Sequence, residues 1–348
     1  MAVIVRDSTK NGDMWNEWAT LLNATIFDAD AQQNDYDDLV KALANEMKSK
    51  RWGEVATTIG GLGDFDTKVE GENAADDIAI EGYKKFVEHM TFSKTVTVSK
   101  EWKDDNMIAE AKAKMLNMVQ SYKRSRAKFL SNALITSVGN TKTMTWGSTS
   151  GIDISGADGL ALFNAAHPLK AIAASILPIG GVTVDPTQSN LFSNPLGSNS
   201  TMLNRLSNIM RNFRDDRGEV LGLDADTVVI PGNRPALEDL VKKIIGSDGE
   251  VGTNNNDINT QRGRWKLVVD PLWTPATGDP YILMSSKANK ALLGTRVYDR
   301  TPLDVENDVE VKSRNLIYNG FARMSVGFTN WRHVLMGGSS DATATTLS

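Results

Sequence analysis

Between Met107 and Val138 the chain carries neither glycine nor proline, the two residues that most readily break a helix. Ile108, Ala111, Met115, Val119, Tyr122, Phe129 and Ala133 recur with a 3.6-residue period until Gly139. Asp104 and Asp105 stand where carboxylates cap and charge-stabilise a helix start, so the pattern predicts one continuous helix over residues 104–137. At 1.5 Å per residue it would be on the order of 50 Å long, more than a compact domain of this size needs internally. Its exposed side would carry Lys112, Lys114, Lys123, Arg124, Arg126 and Lys128.

Composition removes several function classes. The chain has 348 residues, 38 Lys plus Arg against 43 Asp plus Glu, 41% apolar residues and no cysteine. This length builds a core without staples, and disulfides and thiolate metal sites are excluded. No uninterrupted apolar run reaches the roughly 18 residues of a membrane span, and the opening MAVIV is too short for a signal peptide. Action or assembly in the cytoplasm, away from membranes, is the expectation. A net charge of -5 argues against a surface that grips phosphate backbone throughout.

The first fifty residues hold two amphipathic helical patterns, Met14–Phe27 and Tyr36–Lys50, which read as a helical arm. Glycines at 60, 61 and 63 then mark a sharp change of direction. From Asp64 to Glu81 there are seven carboxylates (Asp64, Asp66, Glu70, Glu72, Asp76, Asp77, Glu81) against the single Lys68. So polar a segment buries no core face and should project as a loop or hairpin. The alternation in FSKTVTVS puts Phe92, Val96 and Val98 on one face of a half-buried strand.

Beyond Gly139 strands and helices mix, as in an α+β domain. Helices are expected at Thr201–Arg214 and Pro235–Ile245, and strands at Thr227–Ile230, Trp265–Val269 and Tyr281–Met284. Ala171–Ser200 and Gly246–Gly263 read as long loops. Asp308–Asn315 and Leu316–Phe328 read as β segments, and the Gly, Ser and Thr tail from Gly337 as disordered.

Chemistry is sparse, and no catalytic, cofactor or metal site is expected. No phosphate-binding P-loop spacing occurs. Gly147-Ser148-Thr149-Ser150-Gly151 has Thr where a nucleophile elbow needs Ser and reads as a turn. His89, His167 and His333 stand far apart without ligand partners, so each reads as structural. Asp248, Asn254, Asn256 and Asp257 miss the calcium-loop spacing. The acidic run 64–81 lacks the apolar neighbours that would separate two carboxyl pKa values for acid–base work. The basic helix face lacks interleaved aromatics for stacking bases, and pairing with an acidic hairpin explains it better.

The order of pieces, with several short matches, resembles the major capsid proteins of tailed bacteriophages, of the Hong Kong ninety-seven type fold. The matches are Gly60-Gly61-Leu62-Gly63, Val69-Glu70-Gly71-Glu72, Ile80-Glu81-Gly82-Tyr83-Lys84-Lys85, Asp104-Asp105, Asp158 to Phe163, Ala166-His167-Pro168, Asp216-Arg217-Gly218, Thr227 to Pro231 and Gly327 to Arg332. Relatives often have Asp-Trp-Arg where this chain has Asn330-Trp331-Arg332. The resemblance implies an N-arm (1–57), an E-loop (58–90), a P-domain with its spine helix (91–138, returning at 298–336), an A-domain (139–297) and a flexible tail (337–348). It leaves no room for the cleaved scaffolding segment of some family members.

What the resemblance further implies is a non-enzymatic shell subunit of the virion, forming pentamers and hexamers of an icosahedral head. Asp64, Asp66, Lys68, Glu70, Glu72, Asp76 and Asp77 of the E-loop, and Lys112, Lys123, Arg124 and Arg126 of the spine helix, would meet neighbouring copies. Its partners would be other copies of itself, a separate scaffolding protein, a portal, a decoration protein in some systems, and packaged double-stranded DNA touched non-specifically. An encapsulin-type shell around enzyme cargo, and a hydrolase built on the acidic run, are the alternatives.

Overall fold

The computed structural model describes residues 4–7, 14–61, 65, 67–73, 81–170, 185–249 and 258–347. The chain forms two units, each built from separate stretches: 1–54, 87–130 and 297–326 in the first, and 55–86, 131–296 and 327–348 in the second.

In chain order, strand β1 (Ile4–Asp7) is followed by helices α1 (Asn16–Ala31) and α2 (Asp35–Leu43) and strand β2 (Asn45–Lys48). On α1, Trp18, Leu22, Ile26 and Ala29 recur at three- and four-residue spacing and are all buried. Asn34 caps α2 by accepting the Asp37 N–H at 3.0 Å. Strands β3 (Gly53–Ile59) and β4 (Glu81–Glu88) pair as a ribbon, and β5 (Met90–Val98) follows. The expected alternation holds in β5: Val98 is buried, Phe92 and Val96 half-buried, and Ser93, Thr95 and Thr97 exposed.

The long helix is later and shorter than expected. A short helix α3 (Lys100–Asp104) precedes α4 (Ile108–Thr136), whose 29 residues span roughly 44 Å. Asn106 has φ 56; its N–H donates to the Lys103 carbonyl at 3.1 Å, and the Met107 N–H donates to that of Trp102 at 2.8 Å. These two bonds close α3 as a Schellman motif, and asparagine is among the few L-residues that tolerate its left-handed position. Asp104 and Asp105 therefore end one helix instead of opening the next.

The rest of the chain supplies the hairpin β6 (Thr143–Trp146) and β7 (Thr149–Asp153), the short pair β8 (His167–Pro168) and β9 (Thr187–Gln188), and helix α5 (Thr201–Arg211). Strand β10 (Thr227–Pro231), helix α6 (Pro235–Gly246), strands β11 (Lys266–Asp270) and β12 (Tyr281–Met284) and helix α7 (Ser286–Ala291) follow. Two long strands, β13 (Thr295–Val309) and β14 (Leu316–Phe328), then lead to β15 (Val334–Gly337).

The first unit is a sheet in the order β1-β13-β14-β5, with β2 also on β13, covered on one face by helices. Its core joins Trp15, Trp18, Leu22 and Ile26 of the α1 region to Met115, Met118 and Val119 of α4 and to Val98, Leu303, Val305, Leu316 and Tyr318 of the sheet. The helices of residues 14–43 thus include α1 as part of this core. The expected second helix is present as α2 but ends at Leu43, because the chain after Ala44 forms β2 and pairs with β13, and the Ser49 N–H donates to the Asp299 carbonyl at 3.0 Å.

The second unit holds a mixed sheet ordered β11-β10-β12-β15, with β10 parallel to β11 and antiparallel to β12. Every residue of the central strands β10 and β12 is buried, which is why both read as continuous apolar runs. Two expectations are corrected. Residues 310–315 form the turn between β13 and β14, with the Glu310 N–H donating to the Asn315 carbonyl at 2.9 Å and Arg314 at φ 56. The tail is docked: the Thr345 N–H donates to the Leu191 carbonyl at 3.0 Å, and the Leu347 N–H to Asn194 Oδ1 at 2.8 Å. Backbone pairing holds this polar tail, which has little apolar surface to bury.

Candidate assembly surfaces

The β3–β4 ribbon carries the acidic segment, and the second unit fixes its root. Gly61 lies so close to Asp215 that a Cβ would collide with the carboxylate, and Gly82 is equally tight against the Thr58 carbonyl. Lys170 Nζ donates to the carbonyls of Glu81 and Gly82, both at 2.8 Å. The buried Lys85 pairs with Asp153 and donates to Ser155 Oγ at 2.8 Å. Burial raises the Asp153 carboxyl, but the bonds from Lys85 and Ser155 outweigh it and hold the group below the usual carboxylate range. Sequence reasoning named Lys85 only within a short match and did not name Lys170, since a lone lysine carries no signal of what it will reach.

Beyond the root the segment is open. Lys68, Glu70 and Glu72 are exposed, Val69 is 65% exposed and Phe65 fully so. The Glu72 N–H donates to the Val69 carbonyl at 3.2 Å with Gly71 at φ 89, the geometry of a type II turn that needs glycine at its third position. Asp64, Asp66, Asp76 and Asp77 lie outside the described residues.

The basic face of α4 is only partly available. Arg124 is exposed and Lys112 half-buried. Lys123 and Arg126 correct the expectation, because both are buried inside the first unit. Lys123 Nζ reaches Asp37 at 3.0 Å and the carbonyls of Asp30 and Gln32 at 3.0 and 2.6 Å. Arg126 spans Glu46 at 2.9 Å and Asp299 at 2.8 Å. Burial opposes its charge, and the two carboxylates more than offset that, so the guanidinium stays protonated. Both are paired with carboxylates of the first unit.

Several of the short sequence matches meet in one buried cluster of the second unit. His167 hydrogen-bonds Asp158 at 2.6 Å and stacks on Trp331, while Arg332 pairs with Asp216 at 2.8 Å and donates to the Arg214 carbonyl at 2.6 Å. Burial pushes the Asp158 carboxyl up, but His167, the Leu160 N–H and Arg332 hold it low. Tyr83 of β4 is raised by burial and by Asp216 and Asp158. With the His167, Asp158, Arg332 and Asp216 side chains buried and paired, the cluster is a structural clasp.

The histidines are likewise embedded: His89 between Ser49 and Ser325, and His333 between Asn330 and Thr295. Thr149 stands exposed beside the β6–β7 turn. Among the described residues no group of carboxylates and histidines could hold a metal ion, and no helix is long and apolar enough to cross a membrane.

No protein-family model matches the chain, and no curated protein sequence does. Solved structures do. A chain in the procapsid of bacteriophage JBD30 aligns with 95% of this chain and 77% of its own length, with a TM-score of 0.50 and 13% identity. A chain of the capsid of an empty GTA particle aligns over 88% of this chain and 91% of its own, with a TM-score of 0.49 and 8% identity. A chain from Mycobacterium phage Adephagia aligns over 98% and 95%, with a TM-score of 0.45 and 12% identity. With its helix-covered sheet, long α4, β3–β4 ribbon and mixed-sheet second unit, the chain has the α+β Hong Kong ninety-seven type capsid fold.

Proposed function

We propose that the chain is the major capsid protein of a tailed double-stranded DNA bacteriophage, its copies forming the pentamers and hexamers of an icosahedral head. The observation that carries this reading is the likeness over 95% of the chain to a chain in the procapsid of bacteriophage JBD30. Physical support comes from the ribbon tip, where Phe65 and Val69 stand exposed beside Glu70 and Glu72. Apolar side chains held out on a polar loop are stabilised when another copy covers them. Assembly works by surface complementarity, without catalysis, and the subunit resides in the virion after assembly in the host cytoplasm. A scaffolding protein and a portal are its further partners.

With a net charge of -5 per copy the wall holds duplex DNA weakly and without reading its sequence. Negative-stain microscopy of the purified chain tests the reading: closed shells or capsomers support it, and monomers at every concentration overturn it.

A further inference from the structure

The sheet of the first unit uses only one face for its core. Leu303 and Val305 of β13, Leu316 and Tyr318 of β14, and Val98 of β5 point into the core under the helices. Side chains alternate along a strand, so Arg300 and Pro302 of β13 and Phe321 and Arg323 of β14 stand on the opposite face. That face is held at one end by His89, which hydrogen-bonds Ser325 at 2.8 Å and Ser49 at 2.9 Å and lies 6.3 Å from the Tyr298 ring. Burial lowers the His89 imidazole; Glu54 acts against this, while the charges of Arg323 and Arg300 lower it further. Both guanidiniums are therefore within electrostatic reach of the same ring.

Arg300 and Arg323 are half-buried, and among the described residues neither side chain makes a hydrogen bond or an ion pair. The Nε atom of each is buried without a partner. Two half-buried guanidiniums on one sheet face, neither paired within the described residues, form a receptor for carboxylates, which guanidinium groups bind in a two-pronged geometry. Phe321, 36% exposed on the same face, adds an apolar contact. Further along β13, Glu306 and Asp308 are exposed at alternate positions in register with Arg300.

The chain itself contains a short acidic turn. Residues 64–81 hold seven carboxylates against one lysine, and Glu70 and Glu72 flank an exposed glycine turn near the fully exposed Phe65. We propose that Arg300 and Arg323 of one copy receive Glu70 and Glu72 of a second copy. This rests on the shell-forming reading and names the surface on which the projecting segment docks.

The test compares assembly of the wild-type chain, the variant R300Q/R323Q, the variant E70Q/E72Q and the swap R300E/R323E/E70R/E72R, by sedimentation and microscopy. Both Gln variants should lose about tenfold or more of the assembled protein, and the swap should restore it. E70Q/E72Q changes only exposed positions, so its loss cannot come from misfolding. Normal assembly of either Gln variant overturns the proposal, as does a swap that restores nothing. Normal shells of R300Q/R323Q that retain less duplex DNA would assign the arginines to nucleic acid instead. Wild-type chains that never assemble overturn the shell reading, and this docking site with it; wild-type shells beside unaffected variants overturn the docking site alone.

Discussion

His167 lies flat against Trp331, with ring centroids 4.2 Å apart and planes 10° from parallel. The stack joins two segments far apart in the chain, and neighbouring charges hold both segments. Asp158 fixes the imidazole, while Arg332, next to Trp331, is locked to Asp216 with both side chains buried. The clasp therefore ties residues 158–167, 214–216 and 331–332 into one rigid knot within the second unit. Removing one charge leaves the other buried and uncompensated, so Asp216→Ala should cost about 3–5 kcal/mol. Urea unfolding of the unassembled subunit measures this, and a cost near zero would refute the clasp.

This knot was visible in the sequence only as separate short matches. Nothing in Asp158, His167, Asp216 or Arg332 taken singly says that they meet. Apolar runs were more legible: Tyr281–Met284 and Leu316–Phe328 are strands with the expected bounds, because full burial demands apolar side chains throughout or on alternate positions. Strand β13 was missed over most of its length, since Arg296, Asp299, Arg300 and Asp304 break the apolar alternation and take partners or an open face instead. Lys123 and Arg126 were expected on the exposed side of α4, yet both are buried, because α2, β2 and β13 supply carboxylates that enclose them and a helical period cannot show this.

Acid should weaken the fold through His333. Its Nδ1–H donates to the Asn330 carbonyl at 2.6 Å and its Nε2 accepts from the Thr295 hydroxyl at 2.8 Å, which requires a neutral ring. Burial pushes this imidazole down from 6.5 to about 4. Between those values the unfolded chain binds a proton that the folded chain refuses. Stability is therefore full above pH 6.5 and falls as pH drops towards 4, by on the order of 3 kcal/mol. His89 is lowered by burial and acts in the same direction. A His333→Asn variant should show a flatter dependence over this window; an unchanged slope would remove His333 from the account.

The ribbon root should be intolerant of a single methyl group. A Cβ at Gly82 meets the Thr58 carbonyl of the facing strand, and backbone cannot swing aside as a side chain can. Gly82→Ala should cost about 1–3 kcal/mol by forcing the strands apart. Proteolysis should then open the ribbon first, and wild-type resistance of the variant would contradict the tight approach.

Replacing residues 64–80 with a short Gly-Ser turn should leave the subunit folded, because the described part of this segment is exposed. Its unfolding midpoint should match the wild type while shell formation is lost. Normal shells from the shortened chain would show that the segment takes no part in assembly.

Arg126 offers a way to separate a structural charge from an interface charge. Its guanidinium bridges Asp299 at 2.8 Å and Glu46 at 2.9 Å with only 4% of its side chain exposed, so it acts within the subunit. Arg126→Ala strands Asp299, which is 5% exposed, and should cost about 3–5 kcal/mol. Replacing both, as in Arg126→Met with Asp299→Leu, removes the desolvated pair together. It should recover most of that loss, since buried ion pairs are often matched by apolar residues of similar volume. The double variant should also assemble as well as the wild type. If it regains its stability in urea unfolding but forms no shells, Arg126 does serve a neighbouring copy, and its burial in the isolated subunit is not its final environment.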